Sequence, residues 1–361
     1  MRLIILSYDY SPNNGGIARL CKEIVKQCIA TNTDYLVVTP VQGPKEDNVV
    51  RISGRRIYLE YKILRYLRKI KQKDDAILTG TFHPDGLLAW LSGIPCFFLA
   101  HGAELLPSIS FIRKLFWNPY RKWALKNARM VFANSNYTAA LVTKCSPHSC
   151  VKAIPLAVDS EYFHPTKPKI SNGYLNLCSL SRLEKFKAHD FVIKTIAALP
   201  TKYRLQIHLD IGGKGPYKES LEFLVNRLGL EENIHFIGFI SDEKLRDFYS
   251  EHDLFILCTR EDRSTNHVEG FGLVFTEAQA CGTPCIGADS GGIPDAVIRG
   301  KGGWLIEPDN QRQLSKLLIE IVENRNLLKT QRNLALERVK NDCNWEKYYL
   351  ELYNTIKNNC K

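Results

Sequence analysis

Short apolar runs of strand length alternate with helical stretches along this chain, and that alternation narrows the possible folds more than any other feature. In the first half the runs are Leu3–Leu6, Tyr35–Val38, Ala76–Leu78, Cys96–Ala100 and Met130–Ala133. Helical patterns separate them, which implies parallel strands joined by helical crossovers. A proline-punctuated stretch follows, Ile154-Pro-Leu-Ala-Val-Asp159 and His164-Pro-Thr-Lys-Pro168. The pattern then restarts with Leu175–Leu180, Gln206–Ile211, Ile234–Phe236, Asp253–Leu257 and Pro284–Ala288. A chain of 361 residues has room for about two domains. We place them at residues 1–168 and 169–343, with residues 344–361 as a terminal amphipathic helix. No sequence repeat relates the two halves.

The glycine-rich segment Glu269-Gly-Phe-Gly-Leu-Val-Phe-Thr-Glu277 carries the clearest chemistry. Gly270 and Gly272 permit a sharp turn. Leu273 to Cys281 reads as a helix that Gly282 and Pro284 end. Glu269 then sits before the helix and Glu277 about one turn inside it. The free amides at Gly272 and Leu273 form a positive helix start suited to a phosphate. A carboxylate on either side suits a ligand with hydroxyls at both ends, which is the shape of a nucleotide sugar. Two glutamates at this spacing, taken alone, are ordinary solvated charges; the glycines and the following Gly282-Thr-Pro284 make the difference.

Here the chain resembles the retaining glycosyltransferases of the GT-B fold, family 4 (group 1 glycosyltransferases), whose signature is a Glu-x7-Glu element. The resemblance runs from Ser7 to about Tyr353, with the motifs in the family's order. It implies an α/β fold of two Rossmann-like domains facing across a cleft. The first would bind the acceptor and the second the nucleotide sugar, with the terminal helix returning to the first. Ser181-Arg-Leu-Glu-Lys-Phe-Lys187-Ala-His-Asp190 is similar to the family segment whose Arg and Lys hold the donor diphosphate, here Arg182 and Lys187. Ala188 stands where the family usually has glycine. Gly15 and Gly16, at a strand–helix junction, bring amides toward the diphosphate, although such glycines often only make a turn. His101, at the end of a strand, matches a histidine close to the transferred sugar. Glu269 would contact that sugar and Glu277 the ribose, with the base lined by backbone near Ile240. Asp9 and Glu104 are candidates for acceptor hydroxyls. No metal or other cofactor is implied; the donor would be UDP- or GDP-linked.

Charge adds an expectation about partners. Residues 1–170 hold 24 Lys and Arg against 12 Asp and Glu, whereas residues 171–361 hold 25 against 26. Most of the excess lies in Arg55–Lys73, whose Leu59, Ile63, Leu67 and Ile70 recur at helical spacing, and in aromatic-rich Phe111–Arg129. Basic amphipathic helices favour anionic membrane surfaces; ordinary surface helices with a core-facing stripe are the alternative. No nucleic-acid motif accompanies the charge. The apolar runs are too short to cross a bilayer. Met1–Leu6 reads as a buried strand, and the eleven scattered cysteines as reduced thiols. The expectation is a cytoplasmic enzyme peripherally bound to the inner face of the membrane. Its acceptor would be a lipid-linked saccharide in lipopolysaccharide, capsule or exopolysaccharide assembly. A soluble acceptor, a GT-B sugar-nucleotide epimerase and a non-catalytic adaptor are the rivals.

Overall fold

A computed structural model describes residues 1–13, 15–106, 111–170, 172–262 and 267–360, the side chains of 111–114 excepted. The chain divides into two compact units, Met1–Pro155 with Trp345–Lys361, and Leu156–Asn344.

Unit 1 holds strands β1 (Arg2–Leu6), β2 (Tyr35–Thr39), β3 (Val49–Arg51), β4 (Asp75–Thr79), β5 (Cys96–Ala100), β6 (Met130–Ala133) and β7 (Val151–Ala153). Its helices are α1 (Gly16–Ala30), α2 (Arg56–Ile70), α3 (Asp85–Ser92), α4 (Phe111–Asn127) and α5 (Asn136–Cys145). The strands form one sheet in the order β3-β2-β1-β4-β5-β6-β7, every described pair parallel. Leu3, Ile4, Ile5 and Leu6 of the central strand are all fully buried. Helices cover both faces of such a sheet, so its middle strands carry unbroken apolar runs. Helix α1 shows the complementary pattern: Leu20, Cys21, Ile24 and Cys28 are buried one turn apart. Ser135 caps α5 by accepting the Thr138 amide at 3.1 Å.

Unit 2 repeats the plan. Its strands are β8 (Leu175–Leu180), β9 (Ile207–Gly212), β10 (Ile234–Gly238), β11 (Leu254–Leu257), β12 (Cys285–Ala288) and β13 (Gly303–Ile306). Its helices are α6 (His189–Ala198), α7 (Thr201–Arg204), α8 (Lys218–Leu228), α9 (Asp242–Glu251), α10 (Leu273–Ala280), α11 (Ile293–Ala296), α12 (Gln311–Glu323) and α13 (Asn326–Asp342). The parallel order is β10-β9-β8-β11-β12-β13. The last helix, α14 (Trp345–Asn359), belongs to unit 1, where it packs on α1 and β6 and buries Leu352 and Ile356.

Two expectations need adjusting. Residues 156–168, placed by sequence in the first domain, group with unit 2. Thr166 donates to Asp247 Oδ1 at 2.6 Å, its amide reaches Ser250 Oγ at 3.1 Å, and the Phe163 ring lies 6.4 Å from that of Tyr249. The boundary between the units falls at Pro155, at the start of the proline-punctuated stretch and not at its end. The stripe of α2 that suggested a membrane face also points inward, with Ile63 and Leu67 fully buried. The outer face of α2 carries a different apolar set, Ile57 at 88% exposure with Tyr58 and Tyr61. On α4, Leu115 and Phe116 are exposed, while Arg121 is buried and donates to the carbonyls of Leu105 and Leu106.

In each sheet the chain runs outward one way from the first strand and then crosses to the other side. The switch lies between β1 and β4 in unit 1, and between β8 and β11 in unit 2. Crevices beyond the carboxyl ends of strands at such points are where open α/β sheets bind ligands.

Candidate active site

At the switch point of unit 2, the loop after β8 meets the loop after β11. Lys187 Nζ lies 2.6 Å from Glu269 Oε2, an ion pair across 82 residues of sequence, and both side chains are mostly buried. The candidate diphosphate cation and the candidate sugar carboxylate are thus in contact. Arg182 differs: its side chain is 72% exposed and pairs with Glu184 at 2.7 Å.

The loop carrying these cations is held from beneath. His189 is buried, with Nε2 2.9 Å from Ser181 Oγ. Burial, then the Lys187 charge, pushes its pKa down to about 4, so the ring is neutral. Ala188 takes the left-handed conformation, φ 60° and ψ 31°, that a glycine would adopt without strain. That conformation costs an L-residue about 1–2 kcal/mol. The turn at Gly213–Gly215 packs against the same loop: the Leu183 amide donates to Lys214 O at 2.9 Å and the Tyr217 amide to Leu183 O at 3.0 Å. Asp190 anchors the far end through Arg260 at 3.0 Å.

Gly272 caps α10 with φ 91°, and a Cβ there would stand 2.7 Å from the Phe275 ring, so the turn needs glycine. Leu273 opens the helix, and no acidic residue lies in its first turn. The Glu269 carbonyl accepts the Gly292 amide at 2.8 Å, which ties the Ser290-Gly-Gly segment to the site. Glu277 lies inside α10, buried, with Oε2 accepting the Tyr249 hydroxyl at 3.0 Å. Ile240 is buried against Gly212, beside the exposed ring of Phe239.

In unit 1 the loops after β1 and β4 meet likewise. Gly15 caps α1 beneath Asp9, so closely that a Cβ would stand 2.7 Å from Asp9 Oδ2; Gly16 has open space. Asn13 holds the other Asp9 oxygen at 2.9 Å. His101 Nε2 lies 2.8 Å from Gly80 O. A carbonyl only accepts, so Nε2 carries a proton, and in the tautomer this fixes Nδ1 is the ring's acceptor position. Glu104 accepts the His101 amide at 2.6 Å, which commits one of its oxygens to the backbone.

The sequence reading missed a polar cluster here. Asp85 Oδ1, Tyr8 OH and Glu60 Oε2 are buried without a hydrogen-bond partner among the described residues. Burial pushes the Asp85 carboxyl up to about 7. Beside them His83 Nδ1 meets Tyr120 OH at 2.9 Å, with the Trp117 ring 4.9 Å away. Buried polar atoms without partners call for an explanation, and a ligand's hydroxyls are one way to supply the missing partners. The signal was a strand end followed by Thr81-Phe-His-Pro-Asp85, which alone does not distinguish a site from a turn. No group of His, Cys, Asp or Glu able to hold a metal occurs among the described residues.

Two parallel sheets of matching order define an α/β GT-B two-domain fold, and solved structures agree. HepE of Anabaena, crystallised with UDP, superposes with a TM-score of 0.77 at 19% identity, covering 99% of this chain and 100% of that one. The model for glycosyl transferases group 1 matches residues 160–338, and that for glycosyltransferase family 4 matches residues 14–162. The chain belongs to the group 1 glycosyltransferases of family 4, nucleotide-sugar transferases. Among curated relatives, the GDP-mannose-dependent alpha-(1-6)-phosphatidylinositol monomannoside mannosyltransferase of Mycolicibacterium smegmatis is 26% identical over 332 residues, 84% of this chain and 85% of that protein. The N-acetyl-alpha-D-glucosaminyl L-malate synthase of Bacillus anthracis is 29% identical over 187 residues, 52% of this chain and 46% of that protein.

Proposed function

We propose that the protein is a retaining, metal-independent hexosyltransferase that moves a sugar from a UDP- or GDP-linked donor to a hydroxyl of a lipid-linked saccharide in surface polysaccharide assembly. The Lys187–Glu269 pair beside the start of α10 carries this reading. The donor diphosphate takes Lys187, Arg182 and the amides at Gly272 and Leu273, with Gly15 and Gly16 adding amides. These groups gather positive charge where the leaving diphosphate becomes more negative. Glu269, released from Lys187, faces the donor sugar. Glu277 takes the ribose hydroxyls, positioned by Tyr249, and the backbone near Ile240 lines the base. The acceptor attacks on the face from which the diphosphate departs, and the diphosphate takes its proton. His101 assists through a hydrogen bond from a hydroxyl to Nδ1. The orphaned Asp85, Tyr8 and Glu60 groups, with Asp9, receive acceptor hydroxyls.

Transfer assayed in excess EDTA is expected to persist and to give a product whose anomeric proton keeps the donor's configuration by NMR. Complete loss restored by magnesium or manganese, or an inverted product, would defeat the mechanism.

The lipid-linked acceptor rests on the relative's phosphatidylinositol mannoside substrate and on the outer face of α2. Ile57, Tyr61 and Arg65 stand one turn apart there, with Tyr58, Lys62 and Lys69 alongside. Each cation near an anionic surface contributes about 1 kcal/mol, falling off within a Debye length. The protein is expected to sediment with vesicles containing anionic lipid and to be released by high salt. Ile57→Ser with Arg65→Glu and Lys69→Glu should abolish sedimentation and leave nucleotide binding intact. Wild-type protein that ignores such vesicles at low salt would turn the reading toward a soluble acceptor. No helix among the described residues is long and apolar enough to cross a membrane.

A further inference from the structure

The sheet of unit 2 has a second site-like feature at its opposite edge. A recess of about 400 Å³ is bordered by Tyr174, Asp253 and Pro284, the residues just before β8, β11 and β12. It therefore opens at the amino ends of the strands, whereas Lys187 and Glu269 follow the carboxyl ends. Six residues of β8 separate the two edges, roughly 20 Å at about 3.3 Å per residue.

Four cations line this recess, Lys169, Arg325, Lys329 and Arg332, against one carboxylate, Asp253. Residues 171–361 as a whole are nearly balanced, with 25 Lys and Arg against 26 Asp and Glu, so the concentration is local. Asp253 is already engaged, accepting the Asn176 amide at 2.9 Å. Arg325, Lys329 and Arg332 form no ion pair among the described residues. They stand at i, i+4 and i+7 and so share one face, spanning about 10 Å.

Their position is unfavourable for the protein by itself. Arg325 caps α13, a 17-residue helix with no acidic residue in its first turn. A helix start is positive and is stabilised by anions, not cations. Lys169 adds to the same field. Its ammonium donates to His252 O and to Thr283 Oγ1 at 2.7 Å. Burial, then the Arg332 charge, pushes its pKa down to about 8. Four cations and a helix start thus share a single carboxylate, Asp253, which already accepts a backbone amide, so positive charge inside the recess is in excess. Arginine forks match phosphate oxygens in pairs, and the spread of the four cations exceeds a single phosphate.

We propose that this recess is a second ligand site, separate from the donor site, for a small molecule carrying two or more linked phosphoryl groups. Tripolyphosphate is the simplest probe. Titrated calorimetrically at low salt into the full-length Lys187→Ala protein, whose donor site is impaired, it should bind at one site per chain. Orthophosphate should bind far more weakly. Adding Arg325→Ser and Arg332→Ser should weaken tripolyphosphate binding at least tenfold. The single exposed substitution Lys329→Glu, which leaves the recess walls in place, should weaken it comparably and serves if the other variant fails to fold. Absence of tripolyphosphate binding to the Lys187→Ala protein, or affinity unchanged by these substitutions, would overturn the proposal. UDP and GDP titrations of the wild type test the donor reading separately, so either idea can fail alone.

Discussion

Replacing Lys187 by alanine is expected to weaken UDP or GDP binding by roughly 1.5–3 kcal/mol, the worth of a hydrogen bond to a charged group. That corresponds to about ten- to a hundredfold in affinity. The size follows from burial, since the Lys187 side chain is mostly shielded from water and little screened. Arg182, largely exposed and paired with Glu184, should cost less when replaced. The substitution also leaves Glu269 without its counter-charge, so some loss of thermal stability accompanies it. Adding Glu269→Gln separates the effects: stability should return while nucleotide affinity does not. Calorimetry showing wild-type affinity for both nucleotides in Lys187→Ala would remove this lysine from the donor site.

Glu269→Gln and Glu277→Gln are expected to fail in different ways. Glu269 precedes α10 and faces the sugar in the proposed arrangement, so its loss should lower kcat by on the order of 10²–10³ while nucleotide affinity changes little. Glu277 lies within α10 against Tyr249. Glutamine can still accept the Tyr249 hydroxyl but would lose the charge-assisted bond proposed to ribose, and donor affinity should fall roughly tenfold or more. Steady-state kinetics with direct nucleotide titration distinguish the two. Equal losses of nucleotide affinity, with kcat intact in both, would dissolve the division of roles.

The sequence shows central strands better than edges, for a physical reason. Interior strands such as β1, β5 and β8 are buried on both faces and so read as apolar runs. The strands it did not reveal, β3, β7 and β13, are sheet edges. Val49–Arg51 and Val151–Ala153 are three residues each and only half-buried, too short and too polar to stand out. The site divides similarly. Glycine turns and the helix start at Gly272 leave local traces. The Lys187–Glu269 contact and the Tyr249 hydroxyl on Glu277 leave none, because they join residues 82 and 28 positions apart. The His83–Tyr120 contact likewise needs α4 to return over the end of β4.

The placement of α14 has a consequence for biosynthesis. Unit 2 is one continuous stretch of chain, whereas unit 1 is closed by a helix that follows all of it. Helix α14 covers α1 with side chains that include the fully buried Leu352 and Ile356. Domains ordinarily mature in the order in which a ribosome makes them. Here the order reverses: the later-made unit has its whole sequence first, and the earlier-made one waits with an apolar face uncovered until α14 emerges. A nascent chain halted before residue 345 therefore holds the whole sequence of unit 2 and an unfinished unit 1, a state with apolar surface for a chaperone to shield.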